Sequence, residues 1–155
     1  MAKTLAVERG PATRRRWFGL AMAISAAIGI GISAYLAAVK LAGGQPYCGP
    51  LVGCETVNTS VYSEFLGIPV ALFGLGASTV VLLGVLAWWH LRLRLGLLVA
   101  YAIGLASLPG LAYLTHLELF VIHAICVWCV AYAVSVIAGC LIAAWALFRG
   151  PAATS

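Results

Sequence analysis

Ile125-Cys126-Val127-Trp128-Cys129-Val130 sets two thiols three residues apart inside a run that is otherwise apolar enough for a membrane helix. A lone cysteine in such a run behaves as a small, inert hydrophobe. A C-x-x-C pair is more specific, because that spacing lowers the thiol pKa and supports reversible disulfide chemistry. On a helix, residues i and i+3 share a face, which brings Cys126 and Cys129 close to bridging distance. Two questions follow: whether the surroundings are membrane, and what the pair exchanges electrons with.

The composition answers the first. Of 155 residues, 64% are hydrophobic and 8% are charged, and mean hydropathy is +1.09. A soluble domain carries roughly 25% charge. Four apolar segments stand out, at about Trp17–Leu41, Ile68–Trp89, Leu95–Thr115 and Leu119–Phe148. Each supplies the roughly 20 apolar residues that cross ~30 Å of hydrocarbon. The fourth is long, which predicts tilt or protrusion. The expected architecture is an all-α bundle of four transmembrane helices. An outward loop with a short interfacial helix joins the first two.

The net charge of +5 does not point to nucleic acid, because the basic residues sit at segment ends. Arg14, Arg15 and Arg16 precede segment one, Arg92 and Arg94 separate segments two and three, and Arg149 follows segment four. Four spans put all three groups on one side, and the positive-inside rule makes that side cytoplasmic. Lys40, at the outer end of segment one, dissents and is expected to snorkel. Residues 1–16 then form a cytoplasmic segment, 17–148 the membrane domain and 149–155 a cytoplasmic tail. Arg-Arg-Arg-Trp-Phe has a twin-arginine flavour, but segment one exceeds a signal h-region of about 7–15 residues. It reads as a retained helix of a multi-pass inner-membrane protein.

Lipid does not drive helices together through hydrophobicity, so small residues must let backbones approach. Ser25/Gly29/Ser33, Gly96/Ala100/Gly104 and Ala131/Ser135/Gly139 form such ladders. Pro109-Gly110 predicts a kink in segment three, and Gly67-Ile68-Pro69 predicts the start of segment two with Pro in its first turn.

The outward loop, residues 42–67, holds a second thiol pair, Cys48 and Cys54. Gly49, Pro50 and Gly53 favour a turn between them, short enough for disulfide closure. On spacing alone a structural staple is the preferred reading. Residues 55–66 suggest the short helix, with hydroxyls at Thr59, Ser60 and Ser63. Cys126 lies eight residues beyond Glu118, roughly 12 Å along a helix. Segment four enters from outside, so both pairs fall on the same side of the membrane. A thiolate of one pair can then attack the disulfide of the other. A Cys₄ zinc site is the weaker alternative, since only the second pair has the usual C-x₂₋₄-C spacing. Cys140, roughly 16 Å further along the helix, reads as packing. His116, Glu118 and His123 read as solvated interface residues. No carboxylate is expected to be buried within the spans, which leaves protons to come from the outer surface or the thiols.

The run Cys54-Glu-Thr-Val-Asn-Thr-Ser60, then Leu66-Gly67-Ile68-Pro69, then Cys126-Val-Trp-Cys129, resembles the vitamin K epoxide reductase family. The likeness extends from about Arg16 to Phe148 and implies a four-helix bundle around a quinone. By that resemblance, Cys48 is the shuttle cysteine that exchanges with a reduced partner. Cys54 passes electrons to Cys126, Cys129 faces the quinone ring, and Ser60 is the serine near the active site. The animal enzymes carry a tyrosine where Ala133 stands, with Tyr132 beside it, and segment two shows no counterpart of their asparagine. These departures favour a plain quinone, ubiquinone or menaquinone, over vitamin K epoxide. The chain is short for a fused thioredoxin-like domain, so the implied partner is a separate periplasmic thioredoxin-like (DsbA-like) protein, working with a monomer in lipid.

The expected function is therefore a thiol–disulfide oxidoreductase that reoxidises this partner and passes electrons through Cys48/Cys54 and Cys126/Cys129 to quinone. Each ~30 mV of driving potential is worth about 1.4 kcal/mol in a two-electron step. A DsbB-like oxidase would carry its C-x-x-C in the first outer loop. A small transporter or structural subunit would use the cysteines as staples only, and ion-coupled transporters need an intramembrane charge.

Overall fold

In the computed structural model, which describes residues 11–48 and 53–149, four long helices run alternately up and down. They are α1 (Pro11–Leu41), α3 (Val70–His90), α4 (Arg94–His116) and α5 (Val127–Arg149). All four are long and apolar enough to cross a membrane. A helix satisfies every backbone polar group within itself, which is why an apolar chain in lipid adopts it. Helix α1 packs against α3 and α5, and α4 packs against the same two, which closes a four-membered ring. The protein is a multi-pass membrane protein. Ile24, Ile28, Leu83, Leu105, Val134 and Leu141 are exposed on the outer surfaces of the spans, where lipid replaces water as solvent.

The small-residue ladders mark the helix contacts. A Cβ on Gly29 would lie 2.8 Å from Ser78 Oγ of α3, and one on Gly139 3.0 Å from Ser25 Oγ of α1. Ser25 Oγ donates to the Ser135 carbonyl. Gly84 and Gly96 bring α3 and α4 so close that a Cβ on Gly84 would fall 2.7 Å from Gly96 O. Gly104 faces Cys140, which is buried there. Ala131 departs from its ladder and is exposed. Toward the other end, Met22, Val85, Leu97, Ala100, Ala143 and Ala146 fill the core.

At the end bearing the N-terminus of α1, Arg15 donates to the carbonyls of Trp88 and, at 2.8 Å, Trp89. Its guanidinium also lies over the Trp88 ring. This draws Arg15 beside the turn that carries Arg92 and Arg94, so two of the three basic groups share one end. A cation at the C-terminus of α3 also suits the helix dipole.

The opposite end carries the segments around Cys48 and Cys54. Helix α2 (Cys54–Thr59) and a 3₁₀ turn at Val61–Ser63 lead into a hairpin of β1 (Glu64–Phe65) and β2 (Ile68–Pro69). Leu66 and Gly67 take φ of 54° and 77°, the left-handed pair of a two-residue hairpin turn. Pro69 therefore ends a strand and caps α3 rather than occupying its first turn. Lys40 holds this assembly in place. Its ammonium donates to Asn58 O (2.6 Å) and Ser63 Oγ (2.8 Å) and pairs with Glu64 at 3.3 Å. The dissenting cation thus binds the C-terminal end of α2.

Helix α4 continues through Pro109. One expectation needs correction. The fourth span begins at Val127, not Leu119: Leu117–Ile122 prolong α4 as a π turn. The chain then reverses at His123, which has φ 53°. The extra length of segment four is therefore a helix end plus a four-residue connection. Its residues, His123-Ala124-Ile125-Cys126, include neither Gly nor Pro. The turn-forming Gly49 and Pro50, and the tail beyond Arg149, lie outside the described residues.

Candidate active site

Gly53 is the residue on which the site is built. Its Cα rests on the backbone of Ile125: a Cβ there would fall 2.7 Å from Ile125 N and 2.8 Å from Ile125 C, and nearer still to its carbonyl oxygen. Only glycine allows so close an approach. The residues that follow each, Cys54 and Cys126, are 0% and 2% exposed. Cys54 opens α2 and is joined by a disulfide to Cys48, with Cα atoms 6.1 Å apart. Cys126 and Cys129 are free thiols.

Cys126 is not inside a helix. It stands immediately before α5, and its carbonyl accepts the first bond of that helix, from Val130 N at 3.0 Å. The pair therefore occupies the start of a helix, where the positive end of the dipole favours thiolate. Cys126 lies between the membrane-spanning stretches. A hydrogen bond with the Cys129 side chain, opposed by burial, lowers its pKa to about 7. Between the two cysteines, Trp128 donates its Nε1–H to the Tyr47 carbonyl at 2.9 Å and packs on Tyr35 with ring centroids 5.1 Å apart. Tyr47 N–H donates to the Tyr35 hydroxyl at 3.0 Å. Residue 47 precedes Cys48, so the loop pair is latched onto the helix pair from both sides.

Below the thiols opens a cavity of about 310 Å³ lined by Cys126, Cys129, Ser60, Tyr132, Glu118 and mainly apolar side chains of α1, α3 and α4. Ser60 closes α2, with its hydroxyl bonded to Val57 O at 2.7 Å. Tyr132 Oη donates to Gly74 O at 3.2 Å and lies 3.4 Å from Ser78 Oγ.

Glu118 overturns the expectation of a solvated residue roughly 12 Å along the helix from Cys126, and with it the expectation that no carboxylate is buried. It is 5% exposed, and its Oε2 accepts the Cys126 N–H at 3.3 Å. Its carboxyl also hydrogen-bonds the Cys129 thiol. The reversal at His123 folds residues 124–126 back over the π turn, and Ala124 N–H closes it by donating to Glu118 O at 3.0 Å. His116 and His123 are exposed, as expected. Tyr132 and Glu118 are thus the site residues that sequence reasoning left out. A Glu beside a helix end carries no signal of burial, whereas an aromatic hydroxyl three residues past Cys129 offered a weak one.

Residues 20–144 match the model of the Vitamin K epoxide reductase family. The chain belongs to that family. No curated protein matches the chain. Membership identifies this vitamin K epoxide reductase family protein as a membrane oxidoreductase of the disulfide type, and Cys48 and Cys54 are joined as a disulfide.

Proposed function

We propose that the protein oxidises a thioredoxin-like partner outside the cytoplasm and passes the electrons through two cysteine pairs to a membrane quinone, with both termini cytoplasmic and the redox loop facing outward. The observation that carries this reading is the seat of Gly53 on Ile125. It seats the residue before the disulfide-bonded Cys54 on the residue before Cys126, whose partner thiol Cys129 lines an apolar cavity.

Cys48 is the accessible member of the loop pair: it is half-buried, whereas Cys54 is fully buried. A partner thiolate attacks Cys48 and releases Cys54. Cys54 then attacks Cys126 when the helix pair is oxidised, which frees Cys129 beside the cavity. A quinone supplies the two-electron sink of the final step. The cavity suits that group in size, since ligand pockets run roughly 300–1,000 Å³. It also suits it in chemistry, with apolar walls and a polar end made by Cys129, Ser60, Tyr132 and Glu118.

The test is quinone reduction by the purified protein given a reduced thioredoxin-like donor. Turnover is expected, with its loss in each of Cys48→Ser, Cys54→Ser, Cys126→Ser and Cys129→Ser. Full turnover in Cys54→Ser or Cys129→Ser would overturn the relay.

A further inference from the structure

We infer that Glu118 is a catalytic residue of the quinone step, taking the proton of the Cys129 thiol and handing it to the reduced acceptor. This deepens the function proposed above and rests on it. The chain has four acidic residues, Glu8, Glu55, Glu64 and Glu118. Glu55 and Glu64 are exposed, whereas Glu118 is buried in the wall of the cavity that Cys129 lines. One carboxyl oxygen is held by the Cys126 N–H, and the group also meets the Cys129 sulfur. That contact places an acid–base group beside the Cys129 thiol, whose proton must move.

Neighbouring charges do not commit Glu118 to an ion pair. Among the described residues the ion pair is Lys40–Glu64, and Lys40, which lines the same cavity, is engaged by Asn58, Ser63 and Glu64. The titratable groups that share the cavity wall with Glu118 are Cys126 and Cys129 at the start of α5, Tyr132 of α5, Lys40 of α1 and Tyr62 of the 3₁₀ turn. His116 and His123, on the same connection, are exposed.

The step balances. The structure holds the loop pair joined and the helix pair as two thiols, the state from which the acceptor is reduced. As the Cys126–Cys129 bond forms, two electrons leave the sulfurs. The Cys129 proton passes to the Glu118 carboxylate and on to one quinone oxygen, and the Cys126 proton reaches the other. Two thiols become one disulfide, quinone becomes quinol, and Glu118 ends as it began.

Glu118→Gln keeps an oxygen to accept the Cys126 N–H but cannot carry the proton. With the helix pair pre-reduced, single-turnover oxidation by a soluble short-chain quinone is expected to slow about 100-fold, the low end for loss of a general acid–base group. Exchange between the loop disulfide and the helix pair should slow clearly less than the quinone step, and Glu118→Asp should recover part of the quinone rate. A readout free of quinone is redox-difference infrared spectroscopy of wild-type protein containing isotope-labelled glutamate. Oxidation of the helix pair should shift a glutamate carboxyl band, because S–S formation removes the thiol that bonds Glu118. A quinone step within two-fold of wild type in Glu118→Gln would overturn the inference, as would equal slowing of both steps. A glutamate region unchanged by oxidation would do so even if the variant does not fold. Wild-type protein that reduces no quinone would instead overturn the function itself.

Discussion

Gly53 lies directly on the backbone of Ile125, and this contact seats the loop pair against the segment that leads into the helix pair. The neighbours on the C-terminal side of each are the two most deeply buried cysteines of the site, Cys54 and Cys126. The proposed relay thus depends on the absence of a side chain.

Gly53→Ala should separate the pairs. The added methyl falls within 2.8 Å of three backbone atoms of Ile125, and backbone yields less readily than a side chain. Overpacking of this kind costs about 1–3 kcal/mol, and a displacement near 1 Å costs about 100-fold in rate. Donor-to-quinone turnover should fall by about that factor while membrane insertion and the Cys48–Cys54 bond persist. Stopped-flow turnover together with thiol mapping checks both. Unimpaired turnover would show that the contact does not set the geometry.

Trp128→Phe should loosen the loop. It deletes the donor to the Tyr47 carbonyl and keeps an aromatic ring against Tyr35. A single hydrogen bond is worth about 1 kcal/mol, so the opened loop should become roughly five-fold more populated. Reduction of Cys48–Cys54 by a small dithiol should accelerate by a similar factor, and Tyr35→Phe should act alike through the Tyr47 N–H. An unchanged reduction rate in both variants would remove the latch.

Cys48→Ser should trap the exchange intermediate. Once an added short-chain quinone has oxidised the helix pair, the unpaired Cys54 attacks the Cys126–Cys129 bond and displaces Cys129, and no second loop thiol is present to carry the exchange further. Non-reducing peptide mapping should find a Cys54–Cys126 disulfide. It should disappear in Cys48→Ser/Cys126→Ser and survive in Cys48→Ser/Cys140→Ser, since Cys140 lies against Gly104 near the middle of the bundle. Recovery of a Cys54–Cys129 bond instead would reassign the attacked sulfur.

Reactivity of the reduced helix pair should titrate near neutrality. The Cys129 hydrogen bond draws the Cys126 pKa down from 9.0 to about 7. A lowered thiol pKa means that thiolate is present above pH 7 and lost below it. Alkylation of Cys126 by a small reagent should therefore reach half its plateau rate near pH 7. Cys129→Ala removes the donor and should move that midpoint upward. A midpoint near the ordinary thiol value in the wild type would contradict the assigned hydrogen bond.

The sequence alone determined that four spans are present and which family the chain resembles. Hydropathy is a sum over neighbouring residues, and lipid demands helix wherever that sum is high. The ladders Ser25/Gly29/Ser33 and Gly96/Ala100/Gly104 were legible for the same reason, since close helix approach requires small residues at helical spacing. The same summation hid the break at His123–Cys126, whose residues are no less apolar or helix-compatible than their flanks. With that break hidden, Glu118 was placed in water along a straight helix.

Only the tertiary structure decided which groups meet at the thiols. The reversal of the chain brings Glu118 onto Cys126 and Cys129, the missing Cβ of Gly53 admits Ile125, and Trp128 reaches back to Tyr47. Each is a contact between residues distant in sequence or across a turn. Local pattern cannot encode it, because its energy arises only when separate segments have already been packed into one volume.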